Sequence, residues 1–202
     1  MLNKIGFFLV VASVTTAAAA EYELKWDDGT VAWQFGFMPG GSDYWCGNDF
    51  DVATLGASRV VSLRPSAARG DNGQWDGFRV ALFSFGEVPG SILWPPSGVP
   101  KSVEPASGNS WTWVDVGVGW TLPGGVNSFL AAHECFYTYP DNDFYCLDGD
   151  GGFAGHSWEK LPGYSWTLMG NLGMGNLMLR AVVSDEVAVT PASLGRVKAL
   201  YR

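Results

Sequence analysis

The chain has 202 residues and carries 12 Lys and Arg against 20 Asp and Glu, which gives a formal net charge of −8 at pH 7. A chain of this length buries enough apolar surface to fold as one domain without a disulfide framework or a structural metal. Its acidity excludes nucleic acid and anionic membranes as partners, because phosphate binding depends on clustered Lys and Arg.

Residues 1–20 predict a secretory signal peptide. Lys4 supplies the positive start, an apolar run follows over 5–14, and the small residues that end at Ala20 form a cleavage site. The apolar run is too short to span a bilayer. We therefore expect a secreted or cell-surface bacterial protein that is cleaved near Ala20 and has no membrane span. The alternative is an N-terminal anchor.

Between residues 21 and 183, short runs rich in β-branched and aromatic residues alternate with clusters of Gly, Pro, Asn and Asp. This pattern is typical of all-β proteins. It predicts strands over 30–37, 58–63, 77–85, 111–119, 128–136, 157–160, 165–169 and 176–183. Strands joined by such Gly-rich connections favour two packed antiparallel sheets, which form a β-sandwich of jelly-roll type.

Residues 184–202 predict a linker and a short basic C-terminal helix or tail. Thr190 is a suitable N-cap, and Pro191 is a suitable first helical residue. The segment then carries Arg196, Lys198 and Arg202 at the end of an acidic protein. It is either a fraying helix on its own domain, a disordered tail, or a recognition tag of an exported protein.

The three cysteines are Cys46, Cys135 and Cys146. Disulfides persist in oxidising compartments, so export permits a bridge between Cys135 and Cys146 across a turn-rich loop. Such a bridge would stabilise the fold by about 3 kcal/mol. Cys46 would then be buried as a small apolar residue or paired with another chain. The alternative is that Cys135 and Cys146 do not pair.

The chain contains ten tryptophans, two of which suggest a binding surface. On the predicted strand 111–119, Trp111, Trp113 and Asp115 share one face and valines take the other. If the valines face the core, two indoles and a carboxylate point outward. Such a platform suits sugar rings, which stack on aromatic faces and donate hydrogen bonds to carboxylates. The alternative is that a loop or the other sheet covers both indoles.

The acidic segment 141–152 predicts the best ion site, for calcium. Calcium binds six to eight oxygens on a backbone that can bend. The carboxylates of Asp141, Asp143, Asp148 and Asp150 supply such oxygens, Asn142 adds an amide oxygen, and glycines supply curvature. The alternative is a solvated acidic turn.

Catalysis would need a positioned acid, base, nucleophile or metal. Of the two histidines, His133 is predicted to pack on the strand face that also carries Phe129 and Ala131, and His156 lies in a Gly-rich segment without a nucleophile-elbow motif. A glycosidase would need two carboxylates across a cleft. The residues available for that role are Asp115, Glu134 and Glu159.

Six short motifs are spread along the domain: WDDGT at 26–30, GNDFDV at 47–52, WDGFRV at 75–80, VPGS at 88–91, GHSW at 155–158 and NLMLR at 176–180. Together they resemble an uncharacterised β-sandwich domain that recurs in exported bacterial proteins. The basic ending over 194–202 is similar to short tails on such proteins. The resemblance implies a jelly-roll-like fold and export, and it implies no activity.

These observations favour an exported, non-catalytic β-sandwich with a structural, adhesion or surface-assembly role. Its expected partners are a polysaccharide or another surface protein. The first alternative is a carbohydrate-binding module that uses Trp111, Trp113 and Asp115. The second is a glycan-active enzyme that uses paired carboxylates.

Overall fold

The computed structural model describes residues 19–35, 44–69, 74–98, 100–103, 111–135, 143–149, 152–172 and 175–185. Within these ranges the chain forms two antiparallel sheets that pack face to face. The predicted β-sandwich is therefore confirmed. The predicted signal peptide, apart from its last two residues, and the predicted C-terminal helix lie outside the described residues.

The strands, numbered in chain order, are β1 (Glu21–Leu24), β2 (Trp33–Phe35), β3 (Tyr44–Asp51), β4 (Arg59–Ala68), β5 (Phe78–Phe85), β6 (Pro89–Trp94), β7 (Lys101–Val103), β8 (Trp111–Trp113), β9 (Val116–Thr121), β10 (Ser128–Cys135), β11 (Phe144–Asp148), β12 (Ser157–Lys160), β13 (Thr167–Leu168), β14 (Asn176–Leu177) and β15 (Leu179–Ser184). Two short 3-10 turns cover Ala53–Leu55 and Met169–Leu172. In the part of the chain that the structure describes, no helix has the length and apolarity that a membrane crossing requires.

The first sheet has the strand order β1-β15-β4-β11-β14, with β2 paired to β11 and with β8 and β9 paired to β4. The second sheet has the order β13-β12-β3-β10-β5-β6, with β7 paired to β5. β4 pairs with β8, β9, β11 and β15 and so forms the centre of the first sheet. β3, β10 and β5 form the centre of the second. The main core lies between these central strands.

The alternation of β10 shows how the sequence divides its side chains between two layers. Phe129 and Ala131 face the main core, whereas Leu130 and Ala132 face a second apolar cluster on the outer side of the same sheet. Tryptophans cover this outer cluster, as they do a third cluster on the outer side of the first sheet. None of the nine tryptophans whose side chains the structure describes is exposed. The high tryptophan content therefore contributes first of all to packing.

A buried polar contact joins the two sheets at Asn48. Its amide Nδ2 donates to the carbonyls of Leu177 and Leu179 at 2.9 and 2.8 Å. Ser157 Oγ donates to Asn48 Oδ1 at 2.7 Å and accepts the Leu177 N–H at 2.9 Å. Every buried polar group in this contact is therefore paired, which its burial requires. The predicted strand 176–183 is divided at Met178 into β14 and β15.

β3 and β11 are the most important strands that the sequence did not predict. Gly47, Asn48 and Asp49 suggest a turn by composition, yet they continue β3. The glycine is required because a Cβ at residue 47 would lie 2.5 Å from the carbonyl oxygen of Ala131 on β10. The predicted strand 111–119 is also divided, into β8 and β9.

The predicted disulfide between Cys135 and Cys146 is wrong. The Cys146 thiol is free and buried, and it packs with Ala68 and Met178 in the cluster on the outer side of the first sheet. Its neighbour Tyr145 faces the main core instead. Cys135 belongs to β10 of the second sheet, so the alternation of β11 directs the Cys146 side chain away from it. Burial raises the pKa of the Cys146 thiol to about 11.

Candidate functional site

The predicted sugar platform lies on the outer side of the first sheet, but its groups are already engaged. Trp111 and Trp113 are half-buried and pack against the cluster of Ala68, Cys146 and Met178. The guanidinium of Arg180 lies over the Trp113 ring, 4.3 Å from its centroid. The valines of the segment face the core, and the indoles pack against the outer side of the sheet.

The carboxylate of the platform belongs to a chain of ion pairs. Arg64 Nε binds Asp115 Oδ1 at 2.7 Å, and Arg64 Nη1 binds Glu23 Oε1 at 2.9 Å. Arg180 Nη1 binds Glu23 Oε2 at 3.3 Å, and its Nε and Nη2 bind Asp27, whose side chain is fully buried. Alternating charges thus run across this face and satisfy one another.

The predicted calcium residues do not form one site. Asp143 and Asp148 bound β11, and a strand of that length separates them by about 17 Å. Asp143 accepts the N–H of Gly77 at 2.8 Å, and Asp148 accepts the N–H of Asp28 at 3.0 Å. Asp141, Asn142 and Asp150 lie outside the described residues. Within the described ranges no group of three or more His, Cys, Asp or Glu is arranged to hold a metal ion.

The three carboxylates considered for glycosidase chemistry lie apart. Glu134 is buried and binds Arg79 at 2.8 Å on the outer side of the second sheet. Glu159 shares the opposite face with Tyr44, whose hydroxyl donates to it at 3.5 Å, and burial raises the pKa of Glu159. Asp115 lies between β8 and β9 of the first sheet. The structure therefore brings no two of them together.

His133 is buried in the core, as predicted, between the rings of Phe78 and Tyr145 at 4.2 and 4.4 Å. Burial lowers the pKa of His133 to about 3. The imidazole is therefore neutral at physiological pH, and it has no access to a substrate.

A cavity of about 520 Å³ opens at one end of the sandwich. We call it the Trp26 cavity. It lies where β1, β3 and β5 end and β10 begins. Its wall combines apolar side chains with charged and polar ones, including Leu24, Phe50, Phe85, Asp49, Asp51 and His156.

His156 and Asp49 form a hydrogen-bonded pair in this cavity. The pairing of Ser157 with Asn48 continues by one residue, because the Asp49 N–H donates to the His156 carbonyl at 3.0 Å. This register sets the side chains together, with His156 Nδ1 at 2.6 Å from Asp49 Oδ1. The carboxylate accepts a hydrogen bond from the Nδ1–H group. In the neutral ring, Nε2 is therefore the nitrogen that can accept a hydrogen bond. Burial raises the pKa of Asp49, and the bond to His156 opposes that shift.

Trp26 covers this pair. Its indole stacks on the His156 ring at 3.7 Å with an interplanar angle of 6°. Its Nε1–H donates to the Asp49 carbonyl at 2.8 Å. The exposed fraction of the His156 side chain is 38% and that of Asp49 is 12%. The three side chains thus form a braced unit whose outer edge faces solvent.

A second cavity of about 370 Å³ also borders Trp26, and we call it the Phe153 cavity. Its wall includes Asp27, Asp28, Asp148, Phe153 and Asn176. Asn176 holds the neighbouring loop, because its Nδ2 donates to Gly152 O at 2.7 Å and its Oδ1 accepts the Ala154 N–H at 2.7 Å.

Sequence reasoning missed the unit of Trp26, Asp49 and His156, although all three belong to motifs that it singled out. The only signal in the sequence was the Gly-His-Ser-Trp motif that contains His156. The three residues are far apart along the chain, and the pairing of β12 with β3 brings His156 to Asp49. No family model matches this chain, and neither a curated protein nor a solved structure matches it.

Proposed function

We propose that this protein is an exported, non-catalytic β-sandwich with an adhesion role that binds a neutral carbohydrate in the Trp26 cavity. The observation that carries the proposal is the stack of Trp26 on the Asp49–His156 pair at the wall of the Trp26 cavity. Export is the interpretation of residues 1–20 and is part of the proposal.

The chemistry of the wall favours a sugar. A pyranose ring has apolar C–H faces and a rim of hydroxyls, so it needs aromatic surface beside groups that accept and donate hydrogen bonds. Leu24, Phe50 and Phe85 provide apolar surface next to the carboxylate of Asp51 and the Nε2 of His156. The wall carries the three carboxylates of Glu23, Asp49 and Asp51 against the one ammonium group of Lys25, so an anionic sugar would be repelled.

The Trp26 cavity is a better site than the predicted platform at Trp111 and Trp113. On the platform, Arg180 occupies the face of Trp113, and Arg64 binds the carboxylate of Asp115. A ligand would have to displace both contacts. In the Trp26 cavity the hydrogen bonds within the protein brace the side chains and leave the His156 edge facing solvent.

Ser128 lies on the wall of the Trp26 cavity and is the serine that a serine hydrolase would use there. Its hydrogen bond favours a binding role over hydrolysis. Its Oγ donates to the Phe85 carbonyl at 2.9 Å. A serine nucleophile would instead have to give its proton to the histidine base. The braced His156 is therefore assigned to recognition.

The test is tryptophan fluorescence of the mature protein titrated with a panel of neutral, anionic and cationic polysaccharides. We expect a saturable shift with neutral members, its loss in Trp26→Ala, and its retention in the matched control Trp111→Ala. Thermal melting of each variant checks that it is folded, and His156→Ala tests the same cavity if Trp26→Ala unfolds. Binding abolished only by Trp111→Ala would restore the platform. A flat response to the whole panel would favour a structural role.

A further inference from the structure

We infer that the ligand is an extended glycan chain that crosses Trp26 and also occupies the Phe153 cavity. The inference rests on the proposed function and specifies the length of its ligand. It follows from the way in which two chain segments line both cavities.

The first segment follows β1. Leu24 and Lys25 line the Trp26 cavity, Trp26 lines both, and Asp27 and Asp28 line the Phe153 cavity. The second segment precedes β12, where Phe153 and Ala154 line the Phe153 cavity and His156 lines the Trp26 cavity. Since each segment passes from one cavity to the next within a few residues, the two cavities adjoin at Trp26.

Phe153 is the residue that makes the second cavity a binding surface. Three large hydrophobic side chains are exposed among the described residues, namely Val88, Phe153 and Tyr164, with exposed fractions of 60%, 36% and 72%. Only Phe153 lines one of the two cavities. Its ring packs against Gly170, where a Cβ would clash with the ring, so the exposed side chain is supported from behind.

Polar groups beside Phe153 complete a second sugar subsite. The exposed Asp28 lines this cavity, and the buried Asp148 carboxylate holds its main chain by accepting the Asp28 N–H at 3.0 Å. Asn176 holds Gly152 and Ala154 by two hydrogen bonds and so sets the position of the loop that carries Phe153. Aromatic surface and carboxylate therefore recur on both sides of Trp26, which one monosaccharide could not occupy.

The experiment measures affinity against chain length by calorimetry with neutral β-1,4-linked glucose, mannose and N-acetylglucosamine oligomers, from monosaccharide to hexasaccharide. We expect affinity to rise with length until both cavities are filled. Phe153→Ala should weaken binding of the hexasaccharide about tenfold and leave that of the shortest bound oligomer unchanged. The matched control Tyr164→Ala removes an exposed aromatic side chain that lines neither cavity and should change neither value.

Two results would overturn the inference while leaving the proposed function in place. They are equal affinity for short and long oligomers, and a Phe153→Ala variant that binds the hexasaccharide as the Tyr164→Ala control does. Absence of binding at every length would overturn the proposed function and the inference together.

Discussion

The outer face of the first sheet and the Trp26 cavity contain the same kinds of side chain but use them differently. On the outer face, Arg180 covers Trp113 and Arg64 binds Asp115, so aromatic and charged groups satisfy one another. In the cavity, Asp49 braces His156 against Trp26, and the imidazole edge stays open to solvent. The comparison teaches that residue type and spacing do not define a binding surface. What matters is which polar groups still have capacity for a ligand.

The largest loss of stability is expected on substitution of Asn48, which precedes the cavity residue Asp49 on β3. Asn48→Ala leaves the carbonyls of Leu177 and Leu179 without their side-chain donor in a buried environment. The free energy of unfolding should fall by about 3 kcal/mol, because unpaired buried polar groups cost more than the bond itself contributes. Urea unfolding measures this effect. A loss below about 1 kcal/mol would show that the contact does not hold the sheets together.

The buried His133 provides a test of the fold through pH. The folded-state pKa of His133 is about 3 against an ordinary value of 6.5, so between these values the unfolded chain binds the additional proton. Stability should therefore fall by about 1.4 kcal/mol per pH unit as the pH drops through this window. His133→Phe should remove this contribution, which is measured as the difference between the two unfolding curves. Parallel curves for the two proteins would show that His133 gains its proton in the fold.

Substitution of Arg180 disrupts the contacts on the outer face of the first sheet. Arg180→Met removes the partner of the buried Asp27 and uncovers Trp113, so we expect a loss of about 2 kcal/mol in stability. The control is Asp115→Asn on the exposed pair with Arg64, which should cost less than about 1 kcal/mol. The Asp115→Asn control should not weaken glycan binding in the Trp26 cavity. A gain of glycan binding by Arg180→Met would show that the platform is a site masked by its own ion pair.

The sequence predicted the β-sandwich because strand periodicity and turn residues are local signals. β5, β10 and β12 follow their predicted ranges closely for this reason. β3 and β11 were missed because Asn48, Asp49 and Asp148 are typical turn residues, and their place in strands depends on partners far along the chain. Asn48 bonds across the sandwich and Asp148 accepts the N–H of Asp28. Tertiary contacts thus override local propensity.

Contacts between residues far apart in sequence also explain why the predicted binding residues were wrong. The acidic segment was interpreted as an ion-binding loop, but β11 separates Asp143 from Asp148 and gives each a main-chain donor. The platform was placed on the correct face of its strand, yet the ion pairs that cover it come from β1, β4 and β15. His156 had no visible partner in sequence because the distance to Asp49 is set by the pairing of β12 with β3.

The central claim is tested most directly by NMR spectra of the uniformly ¹⁵N-labelled protein, recorded on its indole and imidazole signals during titration with the neutral hexasaccharide that binds best. The account predicts shifts for Trp26 and His156, with Trp111 and Trp113 unchanged. Shifts confined to Trp111 and Trp113 would contradict it and place the ligand on the outer face of the first sheet.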